Sequence, residues 1–178
     1  MEESLIILCK RGDQKAQRML YDRYCSRMFR LCYRYLQNQM DAEDILINGF
    51  VKIFEHFKNL EHRSNESTEA WMKTIMVNEC LMFLRKRKVL FYAPENIGEH
   101  HLITLPLDDM EVEEIYTVIL KLPTGYRTVF NLYVIEGYNH KEIAAQLGIS
   151  ENTSKSQLHK AKAMLQQILT REGMTNGK

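Results

Sequence analysis

The chain has 178 residues, 45% of them hydrophobic, with 24 Lys/Arg against 23 Asp/Glu and a formal net charge of +1. That length suits one or two small domains able to bury cores. No apolar run approaches the roughly 20 residues of a membrane span, and a start containing Glu2 and Glu3 carries no basic-then-apolar signal region, so secretion is not expected. The near-neutral total hides an asymmetry. Residues 1–92 hold 16 Lys/Arg against 12 Asp/Glu, residues 93–115 hold none against 7, and residues 116–178 hold 8 against 4. Two mildly basic segments flank an acidic one. Cys9, Cys25, Cys32 and Cys80 form no CxxC pair and have no histidine ligands nearby. Buried reduced thiols in a reducing cytoplasm are therefore expected, not disulfides or a metal site.

From Ser4 to about Lys88 apolar residues recur at helical spacing, and nothing reads as strand-rich. A short helix is predicted near 4–11 and a long one from about Asp13 to Leu36, which places Cys25 and Cys32 on one face. A third runs from Ala42 to Phe57 with Asp41 as its cap. On it Leu46, Ile47, Phe50, Val51, Ile53, Phe54 and Phe57 span an arc of roughly 160°, against the roughly 100° that covers a core. The opposite stripe holds Asp44, Asn48, Lys52 and Glu55. Such width fits thorough burial or a partner surface, and width alone favours burial. A fourth helix, from about Thr68 to Lys88, carries Trp71, Ile75, Met76, Cys80, Leu81 and Leu84 on a broad apolar face. It ends in Arg85-Lys86-Arg87-Lys88. These cations either complement the helix dipole or contact phosphate, and both readings stay open.

Residues 93–112 contain Pro94, Gly98, Pro106 and the pair His100–His101, have poor periodicity, and read as a flexible acidic linker. Helices resume at about 112–121 and 125–135, with Pro123 between them and Gly137 after the second. The segment 137–165, GYNHKEIAAQLGISENTSKSQLHKAKAML, fits a helix, a tight turn and a second helix. Asn139 caps the first helix with Glu142 as its capping-box partner. Ile143, Ala144 and Leu147 make its apolar face, and Gly148 stops it in the left-handed conformation. Ile149 tucks inward and Ser150 caps the second helix. That helix turns Ser154, Leu158, Ala161 and Leu165 to the core and leaves Asn152, Lys155, Ser156, Gln157 and Lys160 outside. A helix-turn-helix puts such a second helix in the major groove. A hairpin that touches no nucleic acid shares the apolar pattern, but the turn, the caps and the basic face together favour DNA. The tail after Arg171 is expected to fray. No Gly-rich phosphate loop, HExxH or Ser-His-acid signature occurs, and His56, His62, His140 and His159 are scattered. No enzyme, cofactor or metal is expected.

The order of these motifs resembles the bacterial extracytoplasmic-function sigma factors of the sigma-70 family, small two-domain specificity subunits of RNA polymerase. DAEDILINGFVKIF (41–54) is similar to their helix that docks on the polymerase clamp. WMKTIMVNECLMFLRKRK (71–88) is similar to their promoter-melting, −10-reading helix, and LPTGYRTVFNLYVIEGYNHKEIAAQLGISENTSKSQLHKAKAML (122–165) to their −35-reading domain. The resemblance covers nearly the whole chain outside the linker and tail. It implies an all-α fold: two small helical domains joined by a flexible acidic linker, the C-terminal one a helix-turn-helix. Residues 1–92 would dock on core polymerase and recognise and melt the −10 element, 93–112 would link, and 113–174 would read the −35 element.

The resemblance further implies polymerase contacts at Asp44, Ile47, Asn48 and Lys52, with Ile47 standing where the family usually has Gln. It implies a −10 contact at Asn78, beside which the cations Arg85, Lys86, Arg87 and Lys88 stand as candidate −10 phosphate contacts by their charge. It implies −35 contacts at Ser150, Asn152, Thr153, Lys155, Ser156, Gln157 and Lys160. The loop before Trp71, KNLEHRSNESTEA, belongs to the pocket for an extruded base and lacks the aromatic residue often found near Thr68. Ser154 sits where Val is common, implying a marginally looser core. The implied partners are core RNA polymerase, promoter DNA and, as for many members, an anti-sigma factor, with no membrane insertion and a cytoplasmic location. The acidic linker either suits the basic lining of polymerase channels or is a soluble spacer. Two competing readings are an ordinary duplex-binding regulator, with 1–92 as a dimerisation or sensing domain, and an interaction protein that has lost DNA binding. The motif at 41–54 argues against the first, and Lys155 and Lys160 argue against the second.

Overall fold

The computed structural model describes residues 2–57, 65–87 and 110–171. The loop residues 58–64, Lys88, nearly all of the expected acidic linker with His100 and His101, and the tail after Arg171 lie outside the described residues. Among the described residues every regular element is helical, and the chain divides into two compact units, Met1–Met82 and Phe83–Lys178.

In the first unit α1 (Glu2–Lys10) packs on α2 (Gln14–Leu36). Asp13 caps α2, its carboxylate accepting from the Ala16 amide at 2.8 Å. Gln37 ends α2 in the left-handed region at φ 55°, and Asn38 immediately caps α3 (Gln39–His56) by accepting from the Asp41 amide at 2.9 Å. The cap is thus Asn38 and not Asp41. Both residue types cap well, but Asn38 has the extended backbone a cap needs, and Asp41 falls in the first turn, where its charge favours the helix dipole. The turn reverses the chain within two residues and lays α3 along α2.

The fourth helix, α4 (Asn65–Lys86), begins before Thr68, which is buried. Leu20, Tyr24, Met28, Cys32 and Tyr35 of α2 form the core with Leu46, Phe50 and Ile53 of α3 and Met72, Met76, Cys80 and Leu81 of α4. Helices α3 and α4 approach closely at Gly49, where an added Cβ would collide with the Met76 side chain. Tyr21 tilts on Phe50 with ring centroids 4.8 Å apart, and Phe57 meets Trp71 edge-on at 5.5 Å. All four cysteines are free, and Cys9, Cys32 and Cys80 are buried as expected, whereas Cys25 is only half-buried. Burial, followed by a hydrogen bond with Cys32, pushes the Cys80 thiol well above its usual range.

In the second unit α5 (Met110–Leu120) leads into α6 (Thr124–Phe130). The helix expected over 125–135 begins one residue earlier, and its last part, Asn131–Ile135, widens into a π-helical turn. Arg127, almost fully buried, donates to the Leu122 carbonyl at 2.6 Å and to Thr124 Oγ1 at 3.4 Å, which closes the α5–α6 turn. Helices α7 (His140–Leu147) and α8 (Glu151–Arg171) complete the unit, and α8 packs on α5, α6 and α7. Ile143, Ala144 and Leu147 join Ser154, Leu158, Ala161, Val129 and Leu132 in the core, while Leu165 is only half-buried.

Candidate nucleic-acid interface

Local chemistry builds the α7–turn–α8 motif. Asn139 and Glu142 form a complete capping box: the Glu142 amide donates to Asn139 Oδ1 at 3.0 Å and the Asn139 amide donates to Glu142 Oε2 at 2.8 Å. Gly148, at φ 68°, closes α7 in the left-handed region that disfavours other residues. The Thr153 amide then donates to Ser150 Oγ at 3.0 Å, so Ser150 caps α8, and the two hydroxyls of Ser150 and Thr153 share a hydrogen bond at 2.8 Å.

On α8, Asn152, Thr153, Lys155, Ser156 and Lys160 are exposed, as is the capping Ser150. They form a polar, basic face opposite Ser154, Leu158 and Ala161. Gln157 is not outside as expected. It is half-buried, and its Oε1 is buried with no hydrogen-bond partner among the described residues. The Lys160 ammonium lies 6.0 Å from the Tyr126 ring of α6, a cation–π contact that sequence spacing did not suggest.

Ser154 was expected only to loosen the core. Instead its fully buried hydroxyl shares a hydrogen bond with His140 Nδ1 at 2.9 Å. The His140 ring stacks on Tyr133 of the π-helical turn, with centroids 4.6 Å apart and planes 25° apart. A buried hydroxyl needs such a partner, and a Ser at a core position is the only sequence signal for it.

A second polar face lies on α4. Asn78 is exposed and shares a face with exposed Arg85, two helical turns further on. Lys86 and Arg87 are also exposed, and the Arg87 guanidinium lies over the Phe83 ring at 4.5 Å.

On α3 the wide apolar arc is divided, and the burial that its width favoured is incomplete. Leu46, Phe50, Ile53 and Phe57 are buried, but Ile47 and Val51 stay 55% and 50% exposed. With exposed Asp44 and Asn48 and with Met40 they make a mixed apolar–polar stripe away from the core. Lys52 turns the other way. Its ammonium lies 2.6 Å from the carboxylate of Glu79, a residue of α4 that is 8% exposed. Three of the four residues expected to dock on polymerase thus share one open surface, and the fourth ties α3 to α4.

Among the described residues no helix is long and apolar enough to cross a membrane. A family model of sigma-70 region 2 matches residues 20–89, which include α3 and α4, and a model of sigma-70 region 4 matches residues 112–165, which include the α7–α8 motif. The chain is 30% identical over 174 residues to the ECF RNA polymerase sigma factor SigW of Bacillus subtilis, covering 90% of this chain and 92% of that one. It is 29% identical over 175 residues to the ECF RNA polymerase sigma factor SigE of Mycolicibacterium smegmatis, covering 90% of this chain and 65% of that longer protein. Its fold matches that of the sigma factor RpoE of Bartonella quintana, solved with the anti-sigma factor NepR, at a TM-score of 0.53 and 21% identity over 86% of this chain and 96% of RpoE. Two sigma-70 regions in order, and a relative of 30% identity matched over nearly its whole length, show that the chain belongs to the extracytoplasmic-function sigma factors of the sigma-70 family.

Proposed function

We propose that this transcription initiation factor binds core RNA polymerase in the cytoplasm and directs it to promoters whose −35 element it reads as duplex and whose −10 element it reads as melted strand. The observation that carries the reading is the exposed face of α8, where Asn152, Thr153, Lys155, Ser156 and Lys160 stand on a helix capped at its start by Ser150, next to an α7 fixed by its own capping box and by Gly148. Polar side chains at the start of such a helix reach base edges, while lysines neutralise phosphate. Gln157 joins them through whatever part of its half-buried amide reaches the groove.

The −10 role is assigned to Asn78, to Arg85 and Lys86 in the last turn of α4 and to Arg87 and Lys88 that follow them in sequence, and the docking role to Asp44, Ile47 and Asn48. Lys52 serves docking by holding α3 against α4. The corresponding parts are residues 1–92 for docking and −10 recognition, 93–112 as the linker, and 113–174 for −35 recognition. Capturing an unstacked base costs a few kcal/mol, so melting belongs to the assembled holoenzyme, whereas duplex −35 binding needs only a helix in the groove. An anti-sigma partner is proposed by likeness to RpoE, whose solved structure holds one.

The test is promoter selection with holoenzyme reconstituted from the full chain and core polymerase, followed by sequencing of transcript starts. A shared pair of upstream motifs at fixed spacing from the start is the expected result. Starts with no common −35 motif, or a chain that fails to associate with core polymerase, would overturn the proposal.

A further inference from the structure

We infer that His140 is a positioning residue: through its hydrogen bond to Ser154 it sets the rotation of α8 and so determines which bases the exposed face of α8 reaches. The inference rests on the proposed reading of the −35 element by α8.

The buried side chains of α7 and α8 include the apolar Ile143, Leu147, Leu158 and Ala161. Apolar contact is non-directional and leaves a helix free to roll by several degrees. A hydrogen bond is directional. The Ser154 hydroxyl is fully buried, and its side-chain partner is Nδ1 of a residue fourteen positions upstream, at the first turn of the neighbouring helix. Without that partner the Ser154 hydroxyl has only the backbone of its own helix to turn to, which places no constraint on the roll of α8, so the bond to His140 is what favours the angle at which it forms.

His140 is itself fixed from two sides. The Asn139 capping box holds its backbone at the start of α7, and Tyr133 stacks on its ring at 4.6 Å. Tyr133 stands in the π-helical turn at the end of α6, so three elements meet at one imidazole. The lever is short. Ser154 lies within a turn of Asn152, Thr153, Lys155 and Ser156. A roll of about 10° moves a side-chain tip at the helix surface by about 1 Å, and a recognition site tolerates only about 0.5 Å.

The experiment uses the full chain in holoenzyme and compares affinity for a selected promoter with affinity for the same promoter carrying a scrambled −35 element. His140→Ala and Ser154→Ala should each lower that ratio by about 3- to 10-fold, and the double variant should lose no more than the worse single, as expected of two residues acting through one bond. His140→Asn, whose amide nitrogen can stand near the position of Nδ1, should recover most of the loss. Ser154→Ala removes one oxygen from the core and decides the matter if His140→Ala fails to fold. A lower melting temperature with an unchanged ratio, or single losses that multiply in the double variant, would overturn the positioning role. Asn152→Ala separates the two levels. A loss there with none in the His140 and Ser154 variants overturns the positioning role alone. No loss in any of them overturns the reading of α8 and this inference with it. A loss in the His140 and Ser154 variants with none in Asn152→Ala supports the positioning role and moves the base contact to another residue of α8.

Discussion

The open stripe on α3 allows a quantitative test of docking. Ile47 and Val51 keep 55% and 50% of their surface in water, although the neighbouring Leu46, Phe50 and Ile53 are buried. Full burial of an aliphatic side chain is worth about 1.5–3 kcal/mol, so covering the open half of each is worth about 1 kcal/mol, or about 2 kcal/mol for the pair. The double variant Ile47→Ser/Val51→Ser should therefore bind core polymerase about 30-fold more weakly. The fold should survive at a cost of about 1 kcal/mol per position, the share of each side chain that is already buried, because Ser, Ile and Val have similar helix propensities. Competition against labelled wild-type chain for core polymerase would be run beside thermal denaturation followed by circular dichroism. A double variant that competes within threefold of wild type would remove this stripe from the interface. A variant that loses its fold would show that the two side chains belong to the core after all.

Four further outcomes follow from the geometry. Lys52→Met should destabilise the first unit by about 1–2 kcal/mol, between the values for exposed and buried ion pairs, because Lys52 is partly exposed while the Glu79 carboxylate is nearly buried; adding Glu79→Gln should recover much of this, and urea denaturation unchanged by Lys52→Met would show the pair to be idle. Asn152→Ala should cost about 1–3 kcal/mol of preference for the −35 sequence, whereas Lys160→Ala should weaken all sequences alike and flatten the salt dependence; sequence-dependent loss at Lys160 would contradict the division of roles. Asn78→Ala should impair open-complex formation on duplex promoters, with a premelted bubble rescuing only the melting part, and permanganate footprints equal to wild type would remove Asn78 from the −10 site. Burial and then the Asp13 charge push the Cys9 thiol up from 9.0 to about 11, so the folded chain keeps a proton that the unfolded chain releases and stability should fall as pH rises through that interval; an alkaline limb as steep in Cys9→Ala would assign that loss to other groups.

Much of the architecture was legible because its causes are local. A capping box spans three residues, so Asn139 and Glu142 announced the start of α7, and Gly148 announced its end. Helical periodicity identified the eight α-helices among the described residues, with α6 shortened where the π-helical turn takes over. The misplaced cap of α3 shows the limit of local reading. Asn38 and Asp41 are equally good caps by residue type, and the left-handed Gln37 that ends α2 decides between them.

The sequence by itself determined the helices, most of their caps, the division of charge along the chain and the three motifs that mark a sigma factor, because each is written in contiguous stretches of the chain. Tertiary structure alone decided how the side chains of those helices are used. It left Ile47 and Val51 open while burying Phe50, engaged Lys52 with Glu79 twenty-seven residues away, and half-buried Gln157. It also paired Ser154 with His140 across the helix-turn-helix. Periodicity gives the direction in which a side chain leaves its helix, but burial and hydrogen bonding depend on which other helix lies there, and that is settled only when the helices pack.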